Sequence, residues 1–212
     1  MTIKLNGSSS GSVAISAPAN TAGGADRTLT LPDKTATISP RMVLERFLTP
    51  CDGSTIATAN GNITVGTVTG VQLLTETHAD VTGSSITYTP PTGTTQVIYE
   101  FHFFNGGTDA SSLQYTKLML AGVEVTNARR SFYNVNDYDN STNNCITWAF
   151  NIGGSAVAAT GRVASWTSGK EIKIMSREHT SSMEAKIHEC RYWDGSDSPY
   201  FAQPLIGITA IG

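Results

Sequence analysis

The stretch TTQVIYEFHFFNGG, Thr94–Gly107, decides the fold class. Val97, Tyr99, Phe101 and Phe103 fall at every second position, with Gln96, Glu100 and His102 between them. A two-residue period sends these sets to opposite faces of a β-strand, one face for a core and one for a wetter surface. Pro90-Pro91-Thr92-Gly93 immediately ahead reads as a turn, since proline cannot donate to a central ladder.

Working outward, the same period recurs. YTKLMLAGVEVTNARRSFY (Tyr115–Tyr133) predicts a hairpin, with Leu118 and Leu120 before an Ala121-Gly122 turn and Val123 and Val125 after it. NCITWAFNIGG (Asn144–Gly154) predicts a strand with Ile146, Trp148 and Phe150 on one face. KEIKIMSREHTSSMEAKIHECRYWDG (Lys170–Gly195) reads as a strand pair. Ile172 and Ile174 lie in its first strand, Ala185 and Ile187 in its second, and HTSS makes the reversal. RMVLERFL (Arg41–Leu48) fits a helical turn through Leu44, Phe47 and Leu48, or a strand through Val43, Glu45 and Phe47. The strand is preferred because everything after it is β. Long amphipathic helix patterns with capping residues are missing, which excludes a parallel α/β domain. About eight strands joined by Gly, Asn and Ser turns predict an all-β, jelly-roll-like antiparallel β-sandwich over residues 42–212.

Residues 1–41 have a different character. IKLNGSSSGSVAISAPANTAGGADRTLTLPDKTATI (Ile3–Ile38) alternates in SVAIS, RTLTL and TATI, yet its sizeable aliphatics are only Ile3, Leu5, Val13, Ile15, Leu29, Leu31 and Ile38. Fully buried, each contributes about 1.5–3 kcal/mol, whereas ordering each residue of the segment costs about 1–2 kcal/mol. Alone the segment cannot fold, and a solvated tail has no reason to alternate. It therefore reads as an extended β-arm that docks by strand addition on neighbouring chains through Val13, Ile15, Leu29, Leu31 and Ile38.

Composition narrows the function. Of 212 residues 39% are hydrophobic, enough for a core, and only 15% are charged: 14 basic against 17 acidic, net −3. That balance supplies no basic footprint for nucleic acid or an anionic membrane. No apolar run approaches the roughly 18 residues of a membrane span, and MTIK lacks the apolar stretch of a signal peptide. The expected place of synthesis is a cytosol. Cys51, Cys145 and Cys190 are distant, odd in number and without a CxxC pair, so they read as free thiols.

Catalytic and metal patterns are weak. Serines are many and histidines four (His78, His102, His179, His188), but GGSAV (Gly153–Val157) lacks the last glycine of a nucleophile elbow. NVNDYDNSTNN places Asp137, Asp139 and Ser141 like the start of a calcium loop. Thr142 then stands where the turn glycine belongs and Trp148 where the bidentate glutamate belongs, so the segment reads as an Asx-rich turn. Glu184, Lys186, His188 and Cys190 share one face of an ideal strand, and His188 with Cys190 would give two metal ligands, too few for a site. Nothing singles out Glu100, Glu178 and Glu184 as paired glycosidase carboxylates. The expectation is a non-enzymatic chain with no cofactor, no catalytic residues and no metal.

Aromatics are the remaining functional material. Tyr133, Tyr138, Trp166, Tyr192, Trp193 and Tyr200 lie in or beside Asp- and Asn-rich loops, where flat apolar faces and short polar side chains suit a glycan or a subunit interface. The more ordinary reading makes Trp148, Trp166 and Trp193 core or interface residues.

The arm, of the general form GSSSGSV…LTLP, resembles the N-terminal segment of structural and fibre-like proteins of marine bacteriophages, cyanophages among them. RFLTPCDGSTI, ITYTPPTGTTQVIYEFHF, LAGVEVTNAR, SWTSGKEIKI and REHTSSMEAKIHECRYWDG are similar to a C-terminal β-domain of such proteins. The resemblance covers most of the chain. It implies a virion protein made in the bacterial cytoplasm: a trimeric fibre, spike or capsid decoration, with other virion proteins (tail or major capsid protein) and host-surface glycan as partners. It carries no catalytic motif. The single arm unit, without an extended repeat region, departs from a long tail fibre.

Overall fold

The computed structural model describes residues 2–6, 12–16, 41–107, 111–134, 141–192 and 199–212. They fall into two units, Met1–Ser39 and Pro40–Gly212. In chain order the strands are β1 (Thr2–Asn6), β2 (Ser12–Ser16), β3 (Val43–Pro50), β4 (Thr55–Thr58), β5 (Gly61–Thr64), β6 (Gln72–Leu73), β7 (Ala79–Asp80), β8 (Ile86–Tyr88), β9 (Gln96–Gly106) and β10 (Ser112–Leu120). They continue as β11 (Val123–Glu124), β12 (Arg130–Asn134), β13 (Thr142–Asn151), β14 (Lys170–Glu178), β15 (Lys186–Ile187), β16 (Glu189–Arg191), β17 (Pro199–Phe201) and β18 (Leu205–Ile211).

In the first unit β1 and β2 pair antiparallel, Ile3 opposite Ile15 and Leu5 opposite Val13. SVAIS is thus a strand, as its alternation predicts, and it takes a partner from its own chain. Leu29, Leu31 and Ile38 lie outside the described residues.

The second unit is an all-β sandwich in which every strand pairing is antiparallel. One sheet runs β3-β18-β9, with β13 on the other side of β9, and β15 and β6 extend it where β18 stops. The facing sheet has β10 and β14 at its centre, β11 and β12 along the free side of β10, and β7 and β8 along the free side of β14. The chain passes from β9 to β10, from β12 to β13, from β13 to β14 and from β14 to β15, changing sheet each time.

The core follows the two-residue period. Val97, Tyr99, Phe101 and Phe103 of β9 are all buried, as are Ile146 and Phe150 of β13, Leu118 and Leu120 of β10, and Ile172 and Ile174 of β14. Phe103 meets Phe132 edge-on at 5.8 Å. Tyr99 Oη donates to the Ser84 carbonyl at 2.7 Å, and Ser84 Oγ accepts from the Ile174 amide at 3.1 Å, a polar stitch between the sheets. Within Arg41–Leu48 the chain is strand from Val43 onward, with Glu45 and Phe47 half-buried on one face.

Two expectations fail in Lys170–Gly195. The strands of Ile172 and Ile174 and of Ala185 and Ile187 do not pair with each other: β14 joins β10, β7 and β8, while β15 joins β9 and β6. Both faces are buried, as their alternation requires, but alternation says nothing of which sheet does the burying. Nor do His188 and Cys190 share a face. His188 sits between β15 and β16 with φ +67°, a left-handed backbone that breaks the alternation, and its fully buried ring approaches the Thr82 carbonyl at 3.0 Å.

Candidate functional site

The strands place two distinct ends on the sandwich. Arg41, where the second unit begins, lies with Gln96, Asn151 and Ile211 at the start of β9. From there β9 runs its eleven residues, about 33 Å at 3.3 Å per step. At the far end Asn134 Nδ2 donates to the Asn105 carbonyl at 3.0 Å, and Glu189 approaches Gly106. Of the aromatics expected at a contact surface, Tyr133 precedes Asn134 in β12, Tyr200 stands opposite Cys190, next to Glu189, and Tyr192 packs against Tyr200. Tyr133 is 56% and Tyr192 66% exposed. The rings of Tyr192 and Tyr200 lie edge to face at 6.4 Å.

Trp166 is elsewhere. It is buried against Phe150, rings 5.9 Å apart, and its Nε1 donates to the Tyr88 carbonyl at 2.9 Å. Its flat face is spent on the core, so the ordinary reading of this tryptophan holds and a glycan contact does not. Trp148 is half-buried, its Nε1 donating to the Thr160 carbonyl. Tyr138 and Trp193 lie outside the described residues.

Around Tyr133 the register builds a surface that the sequence alone does not show. On the outward face of the β12-β10-β14 sheet, Tyr133 stands opposite Leu113, and the His179 amide bonds to the Leu113 carbonyl at 2.8 Å. The next row is Ser131, Tyr115 and Arg177. The third holds Lys117 beside Met175. Neighbouring strands are about 4.8 Å apart and successive outward residues about 7 Å, so the first two rows cover a patch about 10 Å by 7 Å.

Its polar groups are held in place. The Arg177 guanidinium lies over the Tyr115 ring, 4.7 Å from its centroid, and Nη1 donates to the Glu178 carbonyl at 2.9 Å. Tyr115 Oη and His179 Nδ1 are 3.3 Å apart. Among the described residues no carboxylate pairs with Arg177. The acids of this face are committed further along it: Glu124 to Arg129 at 2.6 Å and Lys117 at 3.5 Å, Asp80 to Lys173 at 2.9 Å. The Arg129 hydrogen bond holds the Glu124 carboxyl below its ordinary pKa, and Asp80 raises that of Lys173. Half-buried His78 senses the same field: burial first, then the charges of Lys117 and Arg177, keep its pKa below the usual value.

Beneath this face the core turns polar. The inward residues of β10 run from Leu120 and Leu118 through Thr116 to Gln114 and Ser112, and those of β14 from Ile172 and Ile174 to Ser176 and Glu178. Thr116 and Ser176 hydroxyls meet at 2.9 Å, but neither amide atom of fully buried Gln114 has a partner, nor does Ser112 Oγ. Two-residue alternation locates inward positions without requiring them to be apolar, so this layer was not legible from the pattern.

Other chemistry-bearing groups stand apart. Cys145 Sγ lies 3.6 Å from His102 Nε2 across β13 and β9, and Cys51 is buried with its thiol pushed up to about 12 by desolvation. No cluster of three or more His, Cys, Asp or Glu suited to a metal occurs among the described residues. None of their helices is long and apolar enough to cross a membrane.

No family model and no curated protein matches the chain. Among solved structures it is similar to "Structure of infectious bursal disease virus Gx strain" (12% identity, TM-score 0.31, covering 85% of this chain and 41% of that one). A second is "Structure of infectious bursal disease virus Gt strain" (10% identity, TM-score 0.28, 98% and 49%). The chain spans less than half of either, and likeness at this level carries neither topology nor role across.

Proposed function

We propose that the chain is a non-enzymatic structural component of a bacteriophage virion, assembled as a homotrimer, with its arm as the attachment element and its tyrosine-bearing end as the contact surface. The observation that carries the assembly is edge strand β3. Met42, Val43, Leu44 and Leu48 on and beside it are 39–59% exposed, and no described strand pairs with its outer edge. An unpaired edge carrying apolar side chains is a template for association and is ordinarily blunted in a monomer. The sequence resemblance of arm and β-domain to marine phage structural proteins supplies the virion context. Within the second unit roughly 33 Å separates Arg41 from the end of β9, so the chain enters this unit away from its tyrosine-bearing end.

In this reading the protein is a short fibre or spike contacting host-surface glycan. Capsid decoration, in which the exposed apolar edge of β3 would be covered by the shell, is the second reading. Particles lacking the chain separate them. Failed adsorption with unchanged heat and salt resistance supports the spike, and the converse supports decoration. Particles unaffected in both respects would refute the virion role.

A further inference from the structure

We propose that the outward face of β12-β10-β14 binds carboxylate-bearing sugars, with the Tyr133 ring as stacking surface and the Arg177 guanidinium as carboxylate partner. This rests on the contact-surface reading and adds to it a ligand class and a second residue, Arg177. Tyr133 is 56% exposed, and outward Leu113 directly opposite extends its apolar surface. A flat, partly apolar platform of this kind suits the C–H face of a pyranose. One row along and two strands over, Arg177 is oriented by the Tyr115 ring at 4.7 Å and by its bond to the Glu178 carbonyl. Its planar fork keeps donors free to take a carboxylate in a bidentate pair, and holding the fork in advance lowers the entropy lost on binding.

The spacing fits as well. Tyr133 and Arg177 are two strands and two residues apart, which puts them about 12 Å from each other on the sheet. That asks for an oligosaccharide, with one sugar on the ring and a uronate-type carboxylate further along. The electrostatics select the same class. This chain has a net charge of −3, yet the acids of this face are already held by cations, Glu124 by Arg129 and Lys117 and Asp80 and Glu171 by Lys173, while among the described residues no carboxylate pairs with Arg177. A neutral glycan would leave Arg177 without a charged partner. An acidic one neutralises it.

The test is titration of the full-length protein with oligogalacturonate, followed by calorimetry at low ionic strength, beside its carboxyl-reduced neutral counterpart. Saturable binding of the acidic oligomer is expected, at least tenfold weaker for the reduced one. Arg177→Gln and Tyr133→Ala should each weaken it about tenfold, while Lys173→Gln, on the same face but already paired with Asp80, should change it less than twofold. All three positions are outward, so the variants keep the fold. No saturable binding, equal affinity for the neutral oligomer, or equal losses in all three variants would overturn the proposal. A loss in Lys173→Gln as large as that in Arg177→Gln would reveal unspecific charge attraction. None of these results depends on particle localisation, so the virion reading stands or falls separately.

Discussion

Replacing Gln114 by methionine should make the protein more stable. Gln114 is fully buried on the inward face of β10, between Ser112 and Thr116, and both its amide oxygen and its amide nitrogen lack partners. A buried polar group left unpaired costs about 1–3 kcal/mol, because its hydration is lost and nothing replaces it. Methionine has similar length and flexibility and no group that needs pairing, and a swap of that kind costs under about 1.5 kcal/mol in packing. With two unpaired atoms relieved, the net gain should be about 1–3 kcal/mol. For a domain of this size, with about 2–4 °C per kcal/mol, Tm should rise by roughly 2–12 °C. Urea unfolding followed by tryptophan fluorescence measures this directly, and an unchanged m-value would show that the unfolded state is not the cause. A Gln114→Met protein less stable than the parent by 1 kcal/mol or more would refute the reasoning. Its meaning would be that the amide is satisfied, by an enclosed water for example, and that methionine has broken a working network.

Three further outcomes follow from particular residues. Burial holds His188 neutral, its pKa lowered from 6.5 to about 4. In that interval the unfolded chain binds the extra proton, so stability is full above about pH 6.5 and falls by about 3 kcal/mol as pH drops to 4. His188→Asn, which tolerates the positive φ, should remove that part of the slope in unfolding experiments at pH 4.5 and 7, and an unaltered slope would show that other groups carry it. Iodoacetamide on the native protein should label exposed Cys145 and spare Cys51, which is buried and raised to about 12; modification of Cys51 at the same rate in folded protein would contradict its burial. Leu29→Asp with Leu31→Asp should detach the arm, seen as weakened assembly in sedimentation, while the β-domain unfolds as before, because a strand interface cannot bury unpaired charge; unchanged assembly would rule out docking through these leucines.

The fold was legible where burial and period coincide. Val97, Tyr99, Phe101 and Phe103 announce β9 because large apolar side chains at every second position have no other use in water. The Ala121-Gly122 turn was legible too, and Gly122 takes a positive φ that a β-carbon resists. The partner of a strand was not. Ile172, Ile174, Ala185 and Ile187 look like one hairpin in sequence, yet the segment between them crosses from one sheet to the other. Likewise Tyr133 was visible as an exposed aromatic, but Tyr115 and Arg177 were not visible as its neighbours. Their proximity comes from cross-strand register, a relation between residues 44 positions apart for Tyr133 and Arg177, to which local composition is blind. Trp166 shows the reverse error: a polar sequence neighbourhood surrounds a ring that the tertiary structure buries.

Immunogold labelling of purified particles with an antibody against the β-domain tests the central claim most directly. The account predicts label fixed at defined sites on intact virions, persisting after gradient purification and lost when the arm is deleted. Particles without label, with the protein recovered only in the soluble fraction of the lysate, would contradict it.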